Sequence, residues 1–281
     1  MNGIERDREE QVAVRKDEER KRERLGEESR EKTGQCEAIR RELGSKDAFK
    51  KHKAVTEEDF EAASESFGRD FYRTVNLGVV GYTGTGKSSL INSLREMRCT
   101  DRGAAPVNDV ETKARARGYE VPGDSAMRYW DFPGGGTVGH PIRGYFEEHR
   151  LYALDALVVN TDGTMKDLDL KIIDLAAIYK IPVALVRNKS EVKEEGEVCI
   201  DEFRIIWNGY ARDTMRRDGV PWDGVDIFII STHKDQDYRD GIRNVPFGDS
   251  DALREWIKEL SKRTESKSKT HKRLQERYRD T

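Results

Sequence analysis

Residues 81 to 90 read GYTGTGKSSL and follow directly on the apolar run NLGVV at 76 to 80. Gly81, Tyr82, Thr83, Gly84, Thr85, Gly86, Lys87 and Ser88 satisfy the pattern G-x-x-x-x-G-K-[ST]. Both flanks suit it, with an apolar strand before it and the helix-forming SSLINSLREM behind. Glycines let successive backbone N–H groups turn inward on phosphate oxygens, and the helix that starts where the loop ends adds the positive end of its dipole. In this reading Gly81 through Ser89 cradle the phosphates of a nucleotide. Lys87 reaches the β- and γ-phosphates and stabilises charge during phosphoryl transfer, and Ser88 ligates Mg²⁺. The alternative is a glycine-rich turn that binds nothing, and the strand-loop-helix setting argues against it.

Outward from this loop, strand-like and helix-like runs alternate. The pattern predicts strands at 76–81, 126–131, 155–160, 182–187 and 226–231, with helices at 88–97, 142–150, 167–179, 200–217 and 249–262. Runs such as DALVVN and IPVALV are apolar almost without interruption, which marks strands of a parallel sheet covered on both faces. The expected fold class is α/β: a three-layer, doubly wound, mostly parallel sheet of the P-loop NTPase kind with flanking helices and a charged N-terminal extension. Just ahead of the sheet, Phe60, Ala63 and Phe67 recur at helical spacing behind Thr56-x-x-Asp59, the signature of a short capped amphipathic helix.

Of the 281 residues 35% are hydrophobic and 37% charged, so the core cannot run the whole length. Residues 1–54 are dominated by Arg, Lys and Glu. Opposite charges three or four apart support a solvated helix by only ~0.2–0.5 kcal/mol per pair, and no apolar heptad is sustained. A disordered or transiently helical extension follows. Residues 55–262 then form the P-loop domain, and 263–281 a basic polar tail. A formal net charge of −3 provides no general field for polyanions, so no nucleic-acid partner is expected. Cys36, Cys99 and Cys199 lack metal-ligand spacing and read as reduced thiols. No run approaches the ~18 apolar residues of a membrane span. The first residues carry no apolar leader and the last no cysteine to prenylate, so a cytoplasmic protein is expected.

Further along, AMRYWDFPGG closes a strand on Asp131, and Asp131-x-x-Gly134 follows. A carboxylate at the C-terminal end of such a strand can hold the Mg²⁺ shell, and the Gly134 N–H can meet a γ-phosphate. The stretch 103–120, GAAPVNDVETKARARGYE, is polar and poorly periodic and suits a switch loop. Within it Thr112 is the candidate to complete Mg²⁺ coordination, with Thr100 competing. After IPVALVR come Asn188, Lys189, Ser190 and Glu191, where a guanine reader has [N/T]-K-x-D. Glu191 offers the same two acceptor oxygens to the guanine N1–H and N2–H₂ on a stem longer by one methylene. Ser231, at the end of the last strand, stands where a small residue backs the guanine O6. His140 and His149 read as surface or capping residues, Trp130 as core, and Arg115 and Arg117 as solvated switch arginines.

Together NLGVVGYTGTGKSSLINSLREM, GAAPVNDVET, WDFPGGGT, LVRNKSE and VPFGDSDALREWIKEL…THKR resemble the immunity-related GTPases, the interferon-inducible family of dynamin-like type, from about Phe60 to Arg273. The resemblance implies binding of GTP and GDP with Mg²⁺ and slow hydrolysis stimulated by nucleotide-dependent formation of a homodimer or oligomer. It also implies association with intracellular membranes. Gly81 to Ser88 match the phosphate loop, Asp131 and Gly134 the magnesium motif, and Asn188, Lys189 and Glu191 the base motif; Glu111 matches a switch glutamate linked to activation. The chain departs from the family pattern at Lys113, at Glu191, in lacking a Gln after Gly134, and in ending before most of the usual C-terminal helical domain. The rival readings are a nucleotide-gated interaction module with negligible turnover and an ATP-dependent P-loop enzyme.

Overall fold

The computed structural model describes residues 55–68, 71–107, 115–136, 142, 144–190, 200–241 and 248–266, all within the compact unit Val55–Thr281. The charged extension 1–54 and residues 267–281 lie outside them, as do Glu111, Thr112, His140 and Glu191.

The described chain opens with helix α1 (Glu57–Phe67). The Thr56 hydroxyl accepts from the Asp59 N–H at 3.3 Å, and Asp59 Oδ2 accepts from the Thr56 N–H at 2.9 Å. This reciprocal pair satisfies two donors that a helix start leaves open. Strand β1 (Val75–Val80) leads into α2 (Lys87–Leu94), after which β2 (Arg117–Val121) and β3 (Asp124–Asp131) pair as a hairpin. Then follow α3 (Tyr145–Glu148), β4 (Ala156–Thr161), α4 (Asp167–Ile178), β5 (Val183–Arg187), α5 (Ile200–Arg217), β6 (Val225–Ile229), α6 (Thr232–Arg239) and α7 (Ser250–Ser266).

The sheet has strand order β2-β3-β1-β4-β5-β6, parallel throughout except for β2 on β3. Alternation along each strand sends side chains to two separate cores. On one face Val80, Leu157, Val159 and Leu185 pack with Phe60 and Phe67 of α1, Ile172 of α4 and Trp207 of α5. On the other, Leu77, Val79, Val158 and Val186 pack with Leu90 and Ile91 of α2 and with Leu253 and Ile257 of α7. This is the expected three-layer α/β arrangement. Between layers, buried Asn76 fixes the start of β1. Its amide donates to the carbonyls of Phe71 and Thr74 and accepts from the Trp130 indole N–H at 2.9 Å, which places Trp130 in the core as expected.

The structure corrects several expectations. The stretch 103–120 is not loop throughout, because its end forms the antiparallel edge strand β2. Arg95 pulls this strand onto α2 by donating to Glu120 O at 2.8 Å and Gly103 O at 3.0 Å, with its guanidinium over the Tyr119 ring. The helix expected at 142–150 is only the short α3, followed by a 3₁₀ turn at Leu151–Ala153, since Arg150 takes a left-handed conformation with φ 51°. His149 is the C-cap residue of α3, the capping role of the two expected, but its ring is buried against those of Tyr145 and Phe132 and does not lie on the surface. Helix α2 stops at Leu94 and not at 97, because Glu96 is left-handed at φ 55°. Helix α6 was not expected, and α7 runs past 262 to Ser266.

At the start of α4, Asp169 is 1% exposed, and its Oδ2 accepts from the Lys166 N–H at 3.0 Å. Burial pushes its carboxyl up to about 7, against the opposing Lys166 N–H. The unfolded side chain ionises near pH 4, so between about pH 4 and 7 the folded state binds the extra proton. That contribution to stability is complete below pH 4 and is lost as pH rises through 7. Asp169→Asn cannot ionise. Thermal unfolding scans are expected to show its melting temperature, relative to the parent, rising between pH 5 and pH 8; an offset that does not change with pH would refute the assignment.

Candidate functional site

The P-loop leaves the C-terminal end of β1 and wraps the N-terminus of α2. Its path depends on glycine where neighbours crowd it. Gly81 has φ +139°, and a Cβ there would lie 2.3 Å from the Asn160 carbonyl oxygen. Gly86 has φ +92°, and a Cβ would lie 2.8 Å from Asn188 Nδ2. Gly84 also has positive φ but open space around it. Thr85 turns inward and is buried, donating its hydroxyl to the Tyr82 carbonyl at 3.0 Å, while Thr83 stays exposed and Ser89 half-buried on the first turn of α2. The Lys87 ammonium lies along the inside of the loop, donating to the carbonyls of Gly81 at 3.1 Å and Tyr82 at 2.8 Å.

Below the loop, the end of β3 delivers the second motif. Ser88 donates its hydroxyl to Asp131 Oδ2 at 2.7 Å, across 43 residues of sequence. Asp131 itself is 1% exposed. Gly134 passes so close to the P-loop that a Cβ there would lie 2.6 Å from the Thr83 Cα, and Gly135 forms a parallel bridge with Tyr82. Tyr145 fixes this turn from beneath by donating to the Pro133 carbonyl at 2.5 Å. Burial raises the Tyr145 phenol far above its ordinary value, so it remains a donor throughout the physiological range.

The third motif arrives from β5. Asn188 is fully buried; its Nδ2 donates to the Thr85 carbonyl at 3.4 Å, and its Oδ1 accepts from the N–H groups of Lys189 at 2.8 Å and Thr232 at 3.3 Å. Lys189, left-handed at φ 53°, reaches back to the Gly84 carbonyl at 2.5 Å and to Asp162 at 3.7 Å. Ser231 is buried and caps α6, its Oγ accepting from the Lys234 N–H at 3.2 Å. The structure therefore gathers Gly81 to Ser89, Asp131, Gly134, Asn188, Lys189 and Ser231 at the C-terminal edge of the sheet. Glu111, Thr112 and Glu191 lie outside the described residues. Arg115 and Arg117 are exposed, with Arg117 opposite Asp131 in the β2–β3 register.

Sequence reading missed two supports. Asn160, fully buried on β4, donates to the same Thr85 carbonyl at 3.0 Å; an amide ending an otherwise apolar strand was its only signal. Tyr145 had none, since it stands in a segment that reads as ordinary helix.

The arrangement fits a nucleotide with a small divalent cation. The N-terminus of α2 leaves its first backbone N–H groups without partners inside the helix, where anionic oxygens are favoured. Ser88 and Asp131 supply hard oxygen donors side by side, the kind Mg²⁺ takes when phosphates and waters complete its shell. Among the described residues no cluster of His, Cys, Asp and Glu offers an all-protein metal cage, and no helix is long and apolar enough to cross a membrane.

The family model described as "Interferon-inducible GTPase (IIGP)" matches residues 58–204. "Interferon-inducible GTPase 1" of Mus musculus is 31% identical over 164 residues, which is 56% of this chain and 39% of that protein. "Interferon-inducible GTPase 5" of Rattus norvegicus is 40% identical over 74 residues, 26% of this chain and 16% of that protein. The matches thus span about two fifths or less of these relatives. Among solved structures, a probable GTP-binding protein engB is 18% identical with a TM-score of 0.43, over 67% of this chain and 99% of that one.

Proposed function

Because this chain belongs to the interferon-inducible GTPase (IIGP) family, whose model matches more than half of it, we propose that it binds GTP and GDP with Mg²⁺ and hydrolyses GTP slowly to GDP and phosphate. Self-assembly in the nucleotide-bound state raises the rate. The observation that carries this reading is the Ser88–Asp131 hydrogen bond of 2.7 Å, which joins the phosphate loop to the aspartate motif at one edge of the sheet.

Each residue then has a physical task. Backbone N–H groups of Gly84 to Ser88 receive phosphate oxygens, and the Lys87 ammonium exchanges its carbonyl partners for the β- and γ-phosphates. Ser88 and Asp131, with Thr112 from the switch, would hold the Mg²⁺. When bound, the ion offsets charge on the phosphate oxygens. Gly134 presents its N–H to the γ-phosphate from a turn held by Tyr145. Asn188 and Lys189 fasten the base motif to the phosphate loop, so that Glu191 can accept from the guanine edge. Gly135 stands where a water-orienting Gln would be, consistent with slow turnover, and Glu111 is assigned to activation. Location in the cytoplasm and at the periphery of intracellular membranes is part of the same proposal and rests on family resemblance alone.

Calorimetric titration of the nucleotide-free chain with GDP and ADP in Mg²⁺ buffer tests the reading. GDP is expected to bind at least about a hundredfold more tightly, since a site built to pair polar edges penalises the wrong base strongly. Equal affinity for both would assign the site to an ATP-type enzyme. Binding of GDP with no phosphate release at any protein concentration would leave a nucleotide-gated interaction module.

A further inference from the structure

Helix α5 buries Trp207, Ala211, Thr214 and Met215 against the sheet, yet its outer face carries large apolar side chains in water. Ile205 is 72% exposed, Ile206 66% and Tyr210 37%. Gly209 sits among them, and a Cβ there would touch nothing within 4 Å. At 100° per residue these positions form one stripe with Glu202, Asp213 and Arg216. Scattered surface hydrophobes are ordinary, but adjacent isoleucines at this exposure, with Gly209 between them and exposed Tyr210, form a contiguous patch suited to close helix approach.

The charge on this face is graded along the helix and partly paired within it, Asp201 with Arg204 at the start and Arg216 with Asp213 at the end. The first turn holds Asp201 and Glu202, and the last holds Arg216 and Arg217. Arg212 and Arg216 are held in place over the Trp222 ring at 5.4 and 5.6 Å, and Arg216 pairs with Asp213 at 2.7 Å. An acidic end, an apolar middle and a basic end match the same helix reversed. A wholly acidic or wholly basic partner would meet like charge at one end.

We infer that the outer face of α5 is the contact surface for a second copy of this chain, the two helices packing antiparallel about a two-fold axis near Gly209. Ile205, Ile206 and Tyr210 of each copy fill the middle. The acidic start of each helix lies beside the basic end of the other, the self-complementary geometry a two-fold interface requires. One helix pair buries less than the ~1,000 Å² of a stable interface, so this contact is weak and reinforces the nucleotide-dependent assembly proposed above, on which it rests. It also adjoins the site. The Trp207 indole donates to the Gly163 carbonyl at 3.2 Å, and Tyr210 Oη accepts from the Met165 N–H at 3.2 Å. That loop carries Asp162, the partner of Lys189.

Sedimentation velocity of the full chain up to about 100 µM, with GDP and with a non-hydrolysable GTP analogue, provides the test. The parent is expected to show reversible dimers, and Ile205→Asp or Ile206→Asp to raise the dimer dissociation constant about tenfold or more. Glu202→Arg alone and Arg216→Glu alone should each weaken self-association, because both ends then meet like charge. An equimolar mixture of those two variants should recover it, since every end again faces its opposite. Circular dichroism shows whether each variant is folded, and the mixture restores binding only if both are. A parent that stays monomeric in both nucleotide states overturns the inference. So does a dimer indifferent to the isoleucine changes, or a mixture that associates no better than its components. Protection of residues 1–54 from protease that depends on Ile205 would assign the face to the chain's own extension and also overturn it. GDP calorimetry on the same samples reads nucleotide binding independently, so failure of the interface and failure of the site are distinguished.

Discussion

In Lys87→Ala, GDP affinity is expected to fall at least about a hundredfold, the loss of a buried, charge-assisted contact to phosphate. The side chain is 8% exposed and already held inside the loop by the Gly81 and Tyr82 carbonyls. Its ammonium therefore moves little to meet a phosphate, and almost no ordering remains to oppose binding. Alanine also leaves those carbonyls without this donor, so a modest fall in melting temperature accompanies the binding defect. Calorimetry on the folded variant separates the two effects. Unchanged GDP affinity would show that the loop does not hold phosphate through Lys87.

The largest structural effect is expected from Gly81→Ala. The added Cβ would lie 2.3 Å from a backbone oxygen of Asn160 on the central strand β4, at φ +139°, so neither rotamer adjustment nor a shift of a flexible side chain relieves it. A cost of about 3–4 kcal/mol is expected, near the upper end for single substitutions. At about 2–4 °C per kcal/mol for a domain of this size, the melting temperature falls by roughly 10 °C, and nucleotide binding goes with the displaced loop. Gly84→Ala is the control, because its φ is also positive at +84° but nothing lies within 4 Å. It should cost only about 1 kcal/mol. Equal melting temperatures for the two variants would mean that backbone conformation and not the Asn160 collision decides the effect.

The parallel core was readable because β1, β4 and β5 are apolar almost throughout and alternate with amphipathic helices, and the phosphate-loop motif directly after β1 selects the doubly wound sheet among folds built that way. Strand β2 was not. Its residues alternate between exposed positions and Tyr119, and what places it on the sheet is Arg95, whose partners are backbone carbonyls that leave no mark in the residue pattern. Helix α6 was hidden for a related reason: Thr232–Arg239 is polar all round, and its start is fixed by Ser231 and by Asn188 from another strand. The site was legible wherever chemistry demands a residue type, as at Lys87, Ser88, Asp131 and Asn188. It was illegible where support comes from packing, as at Tyr145 and Asn160. Asp235 is a further case: buried between Ser93 of α2 and Arg254 of α7, it ties the phosphate-loop helix to α6 and α7 through contacts more than a hundred residues apart for one partner and 19 for the other.

The strand order β2-β3-β1-β4-β5-β6 also has a consequence for synthesis on the ribosome. Strand β1 is central, yet its partners come later: Val75 pairs with Met127, and Val80 with Val159. The N–H of Asn76 likewise waits for Asp155, 79 residues downstream. At roughly 5–20 residues per second, the apolar run 75–80 emerges some 4–16 s before its second neighbour. For those seconds the nascent chain presents a hydrophobic segment with open edges, so its yield in cells depends on what shelters that segment before β4 arrives.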